Sequence, residues 1–227
     1  MIYVVITVVF AAIGGLVSSR LKSKFKQYSR MPMTNGMSGA EVAEKMLGSY
    51  GIRDVRIVQG QGFLTDHYNP TNKTVSLSPD VFQGRSVSAA AVAAHECGHA
   101  VQHAKGYAWL QFRSKMVPVV QVASRFQSIL LMLALGGLGA FGNGTLLLIT
   151  IGVFAATTLF SLVTLPVEFD ASNRALAWLE SSQVATGDRL AGAKDALWWA
   201  AMTYVVAALS SLTILLYLIL RFMGSRN

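Results

Sequence analysis

The stretch AAHECGHAVQHA, residues 93 to 104, holds three of the chain's four histidines, with a glutamate directly after the first. On a helix His95 and His99 stand four residues apart, so both imidazoles leave one face and can meet a single cation. Imidazole nitrogens suit Zn²⁺, and three protein ligands leave a fourth position for a water whose pKa falls to about 7. Glu96 follows His95 by about 100° of helical rotation, which keeps it off the metal but beside such a water, where a carboxylate can take its proton. The spacing predicts a Zn²⁺ site that hydrolyses amides, with His95 and His99 as ligands and Glu96 as the catalytic base. Four histidines and five glutamates shuffled over 227 residues give His-Glu-x-x-His in only about 0.002 of chains, so composition alone does not produce it.

A third ligand must come from elsewhere. His103 lies eight residues from His95, about 12 Å along a straight helix axis, too far to close a tetrahedron with both other histidines. The register H-E-x-x-H-x-x-G-x-x-H does not occur. H-E-x-G-H also serves intramembrane proteases that take an aspartate from an Asp-Gly pair, and none of the six aspartates here precedes a glycine. The remaining source is LPVEFDASNRAL, residues 165 to 176. Pro166 suits a helix start with Glu168 in the first turn. Two apolar spans between His99 and Glu168 return the chain to the histidines' side, so Glu168 is the expected third ligand.

The elements that must position these residues are mostly apolar. Hydrophobic residues make up 53% and charged residues 13%, too few charges to wet a soluble domain of this size. Four stretches are long enough to span a bilayer: residues 1 to 19, about 117 to 141, 145 to 167 after the Gly142-Asn143-Gly144 break, and 196 to 220, which carries Trp198 and Trp199 at one end. Residues 1 to 19 lack a positive n-region and an A-x-A site, so they read as a retained anchor. The net charge of +8 clusters beside these spans, densest at Arg20, Lys22, Lys24, Lys26 and Arg30, which points to membrane orientation rather than to nucleic acid. With the region up to Lys115, Arg174, Arg189 and Lys194, that run falls on one side, assigned to the cytoplasm; Arg221 and Arg226 fall on the other. Cys97 has no partner for a disulfide and reads as a packing residue.

Between the first two spans, Ser38-Gly-Ala-Glu41 matches a capping box and predicts a helix from about 39 to 49. Ile52 to Gln59 and Thr74 to Ser78 read as short strands, with NPTNK as a turn. The histidine helix should run from Ser86 or Ser88 to Ala104, with Gly106 as its stop. The expected fold is a mainly α membrane protein, about four transmembrane helices with a small α+β zincin-like cytosolic domain carrying the HExxH helix. Its segments are an anchor at 1–19, a cytosolic region at 20–115, a transmembrane hairpin at 116–167, a cytosolic helix supplying the third ligand at 168–195, and a last transmembrane helix and tail at 196–227.

Four stretches, GFLTDHYNP (62 to 70), AAHECGHAVQHAKGYA (93 to 108), LVTLPVEFDASNRA (162 to 175) and AGAKDAL (191 to 197), resemble, in order, the neutral zinc metallopeptidases of the YugP type. The resemblance implies that His95, His99 and Glu168 bind zinc and that Glu96 is the catalytic glutamate. It also implies a layout similar to HtpX-type membrane proteases, whose active sites face the cytosol. In the wider gluzincin pattern an aspartate four residues after the ligand glutamate orients the first histidine; here that position is Ser172, a weaker acceptor, and Asp170 points elsewhere on a helix. The transition state needs a donor to its oxyanion, for which His67, Tyr68, His103 and Arg174 are the candidates, His67 first, with turn stabilisation as its other role. The function expected is a membrane-embedded zinc endopeptidase of the inner or plasma membrane, its partners a polypeptide substrate and the lipid bilayer, with a homo-oligomer or a membrane partner protein as further candidates. The alternatives are a zinc-stabilised membrane scaffold or adaptor without catalysis, and an intramembrane-cleaving metalloprotease.

Overall fold

A computed structural model describes residues 1–135 and 144–224, so Gly142, Asn143 and Arg226 lie outside the described residues. In chain order the elements are α1 (Ile2–Ser29), α2 (Gly39–Ser49), β1 (Arg56–Gln59), β2 (His67–Asn69), β3 (Thr74–Leu77), α3 (Pro79–Phe82), α4 (Val87–Ala104), α5 (Ala108–Leu135), α6 (Gly144–Ser181) and α7 (Gly187–Gly224). Helices α1, α5, α6 and α7 are each long and apolar enough to cross a membrane, as the four apolar stretches predict. At 1.5 Å per residue, the 38 residues of α6 and of α7 extend about 57 Å, well beyond a hydrocarbon core of about 30 Å. Their excess length carries the polar residues.

The helix expected to begin at Pro166 does not begin there. Pro166 lies inside α6, which runs unbroken from Gly144 to Ser181. Proline removes one N–H from the ladder but leaves the rest of so long a helix intact. Likewise α1 continues past its apolar run to Ser29, because Lys, Arg and Leu are good helix formers once a helix is nucleated.

The chain divides into two compact units. One comprises Met1–Leu16, Phe112–Leu165 and Thr203–Asn227. Its buried cluster is small, Ala134, Leu147, Phe154 and Leu218, while Val5, Leu16, Met132, Leu148 and Leu216 stand exposed. Such a surface suits lipid and not water. Several hydroxyls in the apolar part of α6 bond back along their own helix: Thr150 Oγ1 donates to the Leu146 carbonyl at 2.8 Å and Thr164 Oγ1 to that of Phe160 at 2.8 Å, while the buried Thr158 Oγ1 has no partner among the described residues. That pairing satisfies those hydroxyls in an apolar setting.

The other unit comprises Val17–Gln111 and Pro166–Met202. Its sheet has the order β1-β3-β2, with β1 parallel to β3 and β2 antiparallel to it. The strand β2 overlaps the predicted turn NPTNK only at Asn69, and its other two residues carry no strand signal because three residues are too few for an alternation pattern. Helix α2 is held at its start by the predicted capping box: Ser38 N donates to Glu41 Oε2 at 2.6 Å and Glu41 N to Ser38 Oγ at 3.3 Å. Helix α4 is capped by Ser86, whose Oγ accepts from Ala89 N. Alanine dominates α4, and its small side chains let Met46, Val75, Leu77, Val81 and Leu179 close around it in one core. Trp178 Nε1 donates to Ser49 Oγ at 2.7 Å, fastening the end of α6 to α2.

Candidate metal centre

Helix α4 presents His95 and His99 from one face, their ring centroids 4.8 Å apart and nearly perpendicular. The facing part of α6 contributes Glu168. Its Oε2 lies 3.3 Å from His95 Nε2 and 3.6 Å from His99 Nε2. One ligand atom from each of the three residues lies within 4.8 Å of the others, the span a single cation needs. Two imidazole nitrogens and a carboxylate oxygen form a donor set that fits Zn²⁺. Glu168 is only 3% exposed, an expensive place for a carboxylate without a cation or donors beside it.

The approach of the two helices depends on Gly98, between the histidines. A Cβ added there would stand 2.6 Å from the Ala171 carbonyl oxygen and 3.1 Å from Ala171 Cα. Both obstacles are backbone and cannot turn aside, so only glycine allows α4 and α6 to meet this closely. Gly98→Ala is therefore expected to widen the gap between the histidines and Glu168 and to weaken zinc binding at least about tenfold, by analogy with losses from disturbed ligand support. Chelator competition on the purified variant reads that loss; wild-type affinity would refute the close-approach role.

The far nitrogens of both rings are engaged. His95 Nδ1 lies 3.1 Å from Ser172 Oγ, so Ser172 fills the position where an aspartate was missed. His99 Nδ1 lies 3.0 Å from Gln102 Oε1. Gln102 Nε2 in turn donates to the Val167 carbonyl at 2.8 Å and to Asp170 Oδ2 at 2.8 Å. Arg174 Nε donates to the same Asp170 Oδ2 at 2.6 Å, and its guanidinium lies 5.7 Å from the Tyr107 ring centre. Asp170 does point away from His95, but it serves His99 through an amide. A glutamine three residues after a histidine shares its helix face, which is the one sequence signal that marks Gln102.

Burial disfavours a charged His99, but hydrogen bonding and charge from Glu168, with a lesser contribution from Glu96, outweigh it and hold its pKa above the ordinary imidazole value. Binding of a cation there would displace a proton. Glu96 is itself buried and, among the described residues, makes no hydrogen bond or ion pair. Next to it, burial and then the Glu96 charge push the Cys97 thiol up, and its Sγ approaches the Ala43 carbonyl at 3.7 Å.

The other sequence candidates have different partners. His67, exposed on β2, lies with Nδ1 2.8 Å from the Thr65 carbonyl oxygen. A carbonyl only accepts, so Nδ1 carries the proton, and the neutral ring has no second N–H for an oxyanion. His103 Nδ1 pairs with the Tyr68 hydroxyl at 2.8 Å, and Arg174 is committed to Asp170. None of the three belongs to the ligand group.

A family model described as "Putative neutral zinc metallopeptidase" matches residues 3–223. The chain is 39% identical over 229 residues to a protein of Bacillus subtilis (strain 168) named "Putative membrane protease YugP", with 100% of this chain and 99% of that one covered. No solved structure matches.

Proposed function

We propose, from the premise that this chain belongs to the "Putative neutral zinc metallopeptidase" family, that it is a membrane-embedded zinc endopeptidase cutting polypeptides at the cytosolic face of the cell membrane. The observation that carries this reading is the convergence of His95, His99 and Glu168 within 4.8 Å, with Glu96 buried beside them. The two imidazoles and the carboxylate would hold the metal. Zn²⁺, when bound, acidifies a water and polarises the scissile carbonyl. Glu96 accepts the proton released as the nucleophile forms and hands it to the nitrogen of the leaving amine. His67 would assist the oxyanion only as an imidazolium, since its neutral form spends its proton on Thr65.

The unit holding α4 and the three-stranded sheet, Val17–Gln111 with Pro166–Met202, is read as the zincin-like region expected at 20–115 and 168–195. Its cytosolic placement is supported by the basic run from Arg20 to Arg30 directly after the first span, together with Arg189 and Lys194.

The test uses the full chain in detergent or nanodiscs, with zinc measured by elemental analysis and cleavage of an unfolded protein such as casein. One zinc per chain is expected, with cleavage abolished by a chelator and restored by added zinc. Zinc-free protein would refute the reading, and stoichiometric zinc without cleavage of any unfolded substrate would favour the scaffold. One observation favours intramembrane cleavage as a second reading: Glu168 lies three residues past Leu165 on the same unbroken helix, about 4.5 Å along its axis. Mass spectrometry of cut sites in a membrane-protein substrate separates the two, since the first reading expects cuts outside the apolar segment.

A further inference from the structure

The Gln102 carboxamide has two N–H bonds and one oxygen, and all three are used. One end faces the Val167 carbonyl and Asp170 Oδ2, each at 2.8 Å. Neither partner has a proton to give: one is a backbone carbonyl, the other a carboxylate already receiving Arg174 Nε at 2.6 Å and Nη2 at 3.3 Å. That end of the amide must therefore be the nitrogen, and the end 3.0 Å from His99 Nδ1 must be the oxygen. A fixed acceptor at this point requires the His99 proton to sit on Nδ1. The nitrogen left to meet a cation, once any proton it shares with Glu168 is displaced, is then Nε2, the atom 3.6 Å from Glu168 Oε2.

No equivalent constraint acts on the other histidine. Ser172 Oγ, 3.1 Å from His95 Nδ1, is a hydroxyl and can donate or accept, so it tolerates either tautomer. The amide cannot turn over to suit a different His99, because its oxygen would then meet two acceptors in a site where Gln102 is 0% exposed. Buried polar groups left facing like partners are costly, and this cost keeps the arrangement in place.

We propose that Gln102, braced by Asp170 and Arg174, is the positioning residue that holds His99 in its metal-binding tautomer and ring orientation before the metal arrives. The role rests on the reading of His99 as a ligand. Asp170 and Arg174 act only through the amide, so their influence should vanish when it is removed. The relay makes His99 the preorganised half of the site and His95 the adaptable half.

The test compares wild type, Gln102→Met, Asp170→Asn, the double variant and His99→Ala as full chains in detergent. Zinc affinity is read by chelator competition, the visible absorption of the Co²⁺-loaded protein reports ligand geometry, and metal-free circular dichroism and thermal unfolding report the fold. Gln102→Met is expected to bind zinc about 10- to 100-fold more weakly, the usual cost of losing a group that orients a ligand, and to alter the Co²⁺ band while keeping the metal-free fold. Asp170→Asn should weaken zinc in the wild-type background and add nothing in the Gln102→Met background, the signature of one shared path. Should Gln102→Met fail to fold, Asp170→Asn still reads the relay through the same affinity and band. Wild-type affinity and spectrum for Gln102→Met, or equal effects of Asp170→Asn in both backgrounds, would overturn the positioning role while a zinc-free His99→Ala upholds the site. Wild-type zinc binding by His99→Ala would instead overturn the site reading itself.

Discussion

Glu96→Gln is expected to retain one zinc and to lose about 10²- to 10⁴-fold in kcat, the range that a positioned proton carrier supplies. The substitution preserves shape and removes only the charge and the ability to take up a proton. Glu96 makes no hydrogen bond or ion pair among the described residues, so the change breaks neither and removes only a charge felt by His99 and Cys97. It also lies outside the group of three ligand atoms, so the metal should stay. Zinc measured beside casein cleavage in both proteins separates the outcomes. Retained zinc with undiminished cleavage would remove Glu96 from the mechanism; lost zinc would make it part of the metal site instead.

Glu168→Ala should act at the other end of the chemistry and cost the metal itself. Glu168 would supply the anionic donor: its Oε2 lies 3.3 and 3.6 Å from two imidazole nitrogens, with a side chain only 4% exposed. Removing it leaves two neutral nitrogens on one helix, a chelate without the third corner that a stable zinc site needs. The expected loss in zinc affinity exceeds the roughly 10- to 100-fold typical of groups that merely support ligands, and cleavage should fall to background. Glu168→Asp, which draws the carboxylate back by one methylene, should fall between alanine and wild type. Stoichiometric zinc in Glu168→Ala would refute its role, and a search for another donor would then begin from the neighbouring acids on α6.

The paired histidines were legible because helical spacing alone puts positions four apart on one face, whatever the tertiary fold. Glu168 was legible through topology, since counting spans brings residue 168 back beside residue 99. The groups behind the histidines were legible only in part: Ser172 stands where the wider pattern orients the first histidine, but Gln102 does not stand out. Gln102 shares a helix face with His99, but the bracing of its amide from α6 leaves no periodic trace. Two residues from Glu168, Asp170 leaves its helix in another direction, and that direction carries it to Gln102. Pro166 misled for a different reason: proline favours a first turn statistically, but an apolar run of this length continues through it. Gly98 stood inside the motif, yet its importance appears only when Ala171 is found pressed against it.

Cys97, packed into α4 with its Sγ against the Ala43 carbonyl, is fully buried and holds its proton firmly. Thiol reagents react with exposed thiolates, so in the folded protein this cysteine should be silent to a maleimide. The native chain is thus already a blank background for accessibility labelling. Single cysteines placed at Lys22 or at Gly224 can be probed with a membrane-impermeant reagent on intact and on opened cells. The side of the bilayer that each occupies can be read without first altering the helix that bears the histidines.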